Sequence, residues 1–180
     1  MSILDNQVFT ADYEKLKGVS LNPERHAAAN AHEHSEQVHD RVVQLCESND
    51  LPASETELLA DLARLHDIGK ITGTAKPSAS VELLTKYDVS DERLIALAKY
   101  HDTNLPWYMA SERGDPPTDK AWNRLARKTD MRLLCIFMVA DRVDCPGGWR
   151  ANAPLVWFLA EARKRGLLEE ELVTDPGSSV

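Results

Sequence analysis

Cysteine is too scarce and too scattered in this chain to organise a fold. Cys46, Cys135 and Cys145 are odd in number, lie far apart and form no CxxC pair, which excludes a disulfide framework and a thiolate zinc site. Positive charge is also short: 21 Lys and Arg stand against 29 Asp and Glu, for a net charge of −8 and a pI near 5.2. A protein that tracks a phosphate backbone needs a broad basic surface, so extended nucleic acid is not expected as a partner and a small molecule is. The basic groups Arg124, Arg127 and Lys128, and Arg163, Lys164 and Arg165, sit among acids and read as solvated helix faces. No apolar run approaches the length of a membrane span, and Met1-Ser2-Ile3-Leu4-Asp5 has no basic segment leading into an apolar one. A cytoplasmic protein with reduced thiols and no membrane contact is expected.

Strand-type alternation and internal repeats are missing as well. What remains is the apolar period of helices, broken by proline and glycine, so the expected class is all-α: one compact, single-domain helical bundle. A helical or irregular extension is expected over residues 1–30, the functional domain over 31–170 and a frayed tail over 171–180. The strongest breaker is Ser111-Glu112-Arg113-Gly114-Asp115-Pro116-Pro117, followed by Cys145-Pro146-Gly147-Gly148.

Several polar residues continue apolar stripes. His34, Val38, Val42 and Leu45 recur at helical steps within residues 31–46. Ser54 and Glu57 suit a capping box ahead of Leu58, Leu59, Leu62 and Leu65, which puts His66 and Asp67 at that helix's C-terminal end and Gly69 at its stop. Residues 78–87 read as a short helix, and the next, opening at Ser90 or Asp91, carries Leu94, Leu97, Ala98 and His101 on one side. After the Pro-Pro loop, residues 119–128 and 130–144 read as helices, with Leu134, Phe137, Met138 and Asp141 on the inward stripe of the second. Residues 154–165, ended by Gly166, form the last.

His34, the pair His66-Asp67, and Asp141 thus share an interior although they are far apart in sequence. Imidazoles and carboxylates on apolar stripes are costly unless paired or bound to a cation, and a divalent ion answers both needs. Nitrogen and oxygen donors without thiolate suit manganese, magnesium, cobalt, nickel or iron better than structural zinc.

At these positions the chain resembles the HD superfamily of metal-dependent phosphohydrolases. His34-Ser35-Glu36-Gln37-Val38 is similar to the family's first histidine motif, Leu65-His66-Asp67-Ile68-Gly69-Lys70 to its namesake element, and Ala140-Asp141-Arg142 to its closing aspartate. Lys99-Tyr100-His101-Asp102 and Val139-Ala140-Asp141-Arg142 most resemble the HD domain appended to bacterial tRNA nucleotidyltransferases. The resemblance implies an HD-type bundle, a divalent metal held by His34, His66, Asp67 and Asp141, and hydrolysis of a phosphate ester. No strand-rich segment precedes the domain, so nucleotide addition is not expected. Residues 71–78 supply no further histidine, so a single metal is expected.

The remaining site residues follow from that reading. His101 is expected to protonate a leaving oxygen, meet a second metal or brace a ligand; Lys70 is expected to set a cation on phosphate. Arg142 and Asp102 are expected on the substrate. Asp144, three residues beyond Asp141, is expected to end its helix or meet solvent, and His26, His32 and His39 to lie mostly at the surface. Trp107 and Tyr108 read as hydrophobic anchors of the Pro-Pro loop or as a lid that stacks a base. The expected substrate is a small phosphate ester, with nucleotides favoured. Competing readings are a cyclic-nucleotide or RNA-end phosphodiesterase and a non-catalytic regulatory module that binds metal and nucleotide; homo-oligomerisation stays open.

Overall fold

Helix follows helix along the chain, as the apolar period requires. The computed structural model describes residues 3–168 and 171–175. Its helices are α1 (Gln7–Lys15), α2 (Ala31–Ser48), α3 (Ala53–Leu65), α4 (Pro77–Leu84), α5 (Glu92–Tyr100), α6 (Asn104–Glu112), α7 (Asp119–Lys128), α8 (Met131–Ala140) and α9 (Ala153–Lys164). Among the described residues the β-structure is one isolated bridge, Ser20 to Asn30. The fold is all-α, and no described helix is long and apolar enough to cross a membrane.

α8 is the axis. Its sequence, Met-Arg-Leu-Leu-Cys-Ile-Phe-Met-Val-Ala, has almost no polar face, so it must be covered all round. Helices α2, α3, α5 and α9 pack on it, and every residue of α8 except Arg132 is buried. Asp130 starts α8 by accepting from Leu133 N, as Asp91 starts α5 by accepting from Arg93 N and Leu94 N. Phe9, Tyr13 and Leu16 of the N-terminal segment join the same core.

Four local expectations need correction. The capping box at Ser54 does not form: Pro52, in extended conformation, precedes α3, and no side chain caps it. Gly69 does not end α3 through a left-handed turn. The chain passes from α3 into a 3₁₀ turn, Ile68–Thr72, and Gly73 (φ +85°) supplies the left-handed stop. Gly69 instead permits close approach, since a Cβ there would lie 2.4 Å from Ser80 N and 2.8 Å from Ala79 Cβ. Helix α8 stops at Ala140, and residues 141–144 continue as turns.

The fourth correction is α6, which begins where a connection was expected. Pro106 falls within its first turn, where proline removes no needed donor, and Leu105 and Met109 point outward, which hides the apolar stripe. It is held by its aromatic residues: the Trp107 ring is 4.7 Å from Trp122 on α7 and 6.1 Å from Phe158 on α9, and Tyr108 is 5.9 Å from Trp157.

Of the tail expected to fray, residues 176–180 lie outside the described residues. Leu172 packs into the core, and Asn49 clamps the backbone of Val173, accepting from its N at 3.0 Å and donating to its O at 2.8 Å.

Candidate metal centre

Three helix C-termini meet at one point. His66 closes α3, His101 closes α5 and Asp141 closes α8, while His34 projects from the first turns of α2. The C-terminal carbonyls carry the negative ends of the helix dipoles, which favours a cation among them. They also orient the rings. His66 Nδ1 donates to Ala63 O at 2.9 Å and His101 Nδ1 donates to Ala98 O at 2.7 Å, since a carbonyl can only accept. In each neutral ring Nε2 is therefore the nitrogen with a free lone pair.

Asp141 Oδ1 lies 3.1 Å from both His34 Nε2 and His66 Nε2. Asp67 Oδ2 is 3.4 Å from His66 Nε2 and 3.9 Å from His34 Nε2. The expected ligand residues His34, His66, Asp67 and Asp141 are thus brought together, all of them buried. Each carboxylate is braced by a cation from outside the cluster: Lys70 Nζ is 2.5 Å from Asp67 Oδ2, and Arg142 holds Asp141 Oδ2. Burial works to raise the Asp141 carboxyl; Arg142, His34 and His66 outweigh it and hold that group well below the usual carboxylate range.

Asp144 corrects the sequence reading most directly. It is 5% exposed rather than solvated, and its Oδ1 lies 3.2 Å from His34 Nδ1, on the far side of the ring from Asp141. Its Oδ2 lies 3.1 Å from His26 Nδ1, and its backbone O accepts from Ala27 N at 2.9 Å. Asp144 therefore joins the turn after α8 to His34 and to the loop closed by the Ser20–Asn30 bridge. Burial opposes charge on His34, but Asp141 and Asp144 prevail and raise its pKa to about 10. His26 belongs to this arrangement although it was expected at the surface, whereas His32, packed on the Tyr13 ring and near Glu14, and His39, beside Asp40, lie apart from the cluster.

A cavity of about 520 Å³ opens onto the cluster, lined by Asp67, Lys70, His101, Asp141 and Arg142 among others. Asp102 and Arg142, expected on the substrate, form its wall while paired with each other at 3.1 Å. Burial lowers the pKa of His101. Trp107 and Tyr108 pack into the aromatic layer of α6, α7 and α9 rather than into this cavity.

The donor set fits a divalent ion. Among the described residues His66 Nε2 is buried and makes no well-directed hydrogen bond, although its lone pair faces the oxygens of Asp141 and Asp67. Lone pairs converging on lone pairs are repulsive in a low-dielectric interior, where an unpaired carboxylate costs several kcal/mol, and a cation reverses the sign of each contact. His34, His66 and Asp67 offer donor atoms all within 4.8 Å of one another. To bind an ion, His34 would have to give up its Nε2 proton, with Asp144 Oδ1 beside Nδ1 to hold the other one.

A family model described as the HD domain matches residues 31–145, the span that carries all four of these residues. No curated protein and no solved structure matches the chain. The family match covers well over half of the sequence, and the chain belongs to the HD domain family.

Proposed function

We propose that this protein is a divalent-metal-dependent phosphohydrolase acting on a small phosphate ester, with nucleotides as the favoured class. The observation that carries the reading is the buried Nε2 of His66, which makes no well-directed hydrogen bond among the described residues and faces Asp141 and Asp67, two residues that line an open polar cavity. His34, His66, Asp67 and Asp141 hold one ion, of manganese, magnesium, cobalt, nickel or iron. Bound there, a divalent ion supplies the charge that lowers the pKa of water and polarises a phosphoryl oxygen.

The protein groups do the rest. Lys70 and Arg142, held on Asp67 and Asp141, present positive charge to the phosphate without drifting from the site. His101, its Nδ1 fixed by Ala98 O, offers the Nε2 lone pair to the cavity as a proton acceptor for the attacking water or a bound hydroxyl. Asp102 keeps Arg142 in place from the substrate side.

The test is release of phosphate from a panel of nucleotides, cyclic nucleotides and p-nitrophenyl phosphates by purified protein with each metal, against a chelator-stripped control. Metal-dependent turnover on monoesters is expected. Turnover confined to diesters moves the assignment to a phosphodiesterase, and full activity in stripped protein overturns it.

A further inference from the structure

Asn104 is 1% exposed and lines the cavity, yet neither its Nδ2 nor its Oδ1 has a hydrogen-bond partner among the described residues. Buried amides are nearly always paired, because one left without partners loses its hydration and gains nothing in return. No stability argument places an amide here. A side chain such as leucine would fill the same space beside Leu105 without that cost.

Its position argues for a ligand. Asn104 opens α6, whose N-terminus no side chain caps, and it follows His101 by three residues across the turn between α5 and α6. Both residues line the cavity that ends at Asp67 and Asp141. Charge is already supplied there by Lys70 and Arg142, which suits a phosphate. A neutral amide, offering one acceptor and two donors in a fixed plane, complements instead a neutral group that both gives and accepts a hydrogen bond. In a phosphorylated metabolite that group is a hydroxyl on the carbon skeleton next to the ester.

We propose that Asn104 is a specificity-determining residue that hydrogen-bonds a sugar hydroxyl of the phosphorylated substrate. This rests on the phosphohydrolase reading and narrows its substrate to phosphorylated sugars, either free or within a nucleotide. The amide is unpaired unless the hydroxyl is bound, so a substrate lacking the hydroxyl leaves it buried and unsatisfied, the situation in which discrimination is largest.

The experiment compares ribose 5-phosphate with 2-deoxyribose 5-phosphate, and a ribonucleoside 5′-monophosphate with its 2′-deoxy and 2′,3′-dideoxy forms, in manganese-loaded wild type and Asn104→Ala. Dissociation constants and kcat/KM are both read. Wild type should favour the hydroxylated member of at least one series by about a hundredfold or more, and Asn104→Ala should reduce that preference to within about threefold. The series that responds tells a free sugar phosphate from a nucleotide. Asn104→Ser, which keeps one hydroxyl, should retain an intermediate preference, and both variants should melt at or above the wild-type temperature. Indifference of the wild type to the hydroxyl, a preference that survives in Asn104→Ala, or loss of folding in that variant overturns the assignment. Hydrolysis of p-nitrophenyl phosphate by wild type checks the phosphohydrolase reading separately, and the binding constants decide the role of Asn104 whatever that outcome.

Discussion

Asp144 Oδ1 lies 3.2 Å from His34 Nδ1, across the imidazole from the side that faces Asp141. A carboxylate behind a ligating histidine fixes the ring's tautomer and raises its basicity, and removing such a partner costs about 10–100-fold in metal affinity. Asp144→Asn should weaken metal binding by about that factor while keeping the ligand set. Asp141→Asn, which removes a charged donor and unpairs Arg142, should lower turnover by about 10³-fold or more. Metal titrations and initial rates on the two variants check the ranking. Equal losses would mean that Asp144 is itself a ligand.

Gly69→Ala should destabilise the fold by about 1–3 kcal/mol or more, because the added Cβ meets the backbone of Ala79 and Ser80, which cannot rotate away. Ser80 is fixed there by accepting from Gly69 N at 2.9 Å and donating to His66 O at 2.6 Å. The clash would therefore also shift His66. Denaturant unfolding measures the first effect and metal affinity the second; a variant with wild-type values for both contradicts this role.

How much of this was legible in the sequence depends on how each residue is held. His34, His66, Asp141 and His101 continue apolar stripes, so helical periodicity alone brings them inward, and all four are buried. Asp144 reads from sequence as helix-ending or solvent-facing because it abuts the break Cys145-Pro146-Gly147-Gly148, whereas α8 ends at Ala140 and the turn that follows carries Asp144 back onto His34. Helix α6 was missed because Leu105 and Met109 face outward and its anchoring aromatic partners, Trp122 and Phe158, lie on other helices. Asn104 carries no signal in sequence at all: what distinguishes it is the absence of a partner, a property of tertiary structure.

Away from the site, Asp12 should give the fold an acid-sensitive component. Burial raises its carboxyl, but Lys15, Lys86 and Tyr87 prevail and lower its pKa to about 2. A folded pKa below the unfolded one contributes stability that is fully present above pH ~4 and is lost as the pH falls toward ~2. Both lysines are largely solvated, which limits the contribution to about 1–2 kcal/mol. The stability difference between wild type and Asp12→Asn should shrink across that interval in acid titrations of unfolding. A difference that stays constant with pH would show that packing, and not charge, is what Asp12 supplies.

Elemental analysis of purified wild type and His66→Ala, with turnover and the far-ultraviolet helical signal read on the same samples, decides whether the His66 Nε2 lone pair binds a catalytic ion together with its neighbours. Wild type should carry about one equivalent of a divalent metal and hydrolyse phosphate esters only with it, and His66→Ala should lose both while keeping the helical signal. A His66→Ala protein that lacks metal yet hydrolyses phosphate esters at the wild-type rate would refute a catalytic ion at His66.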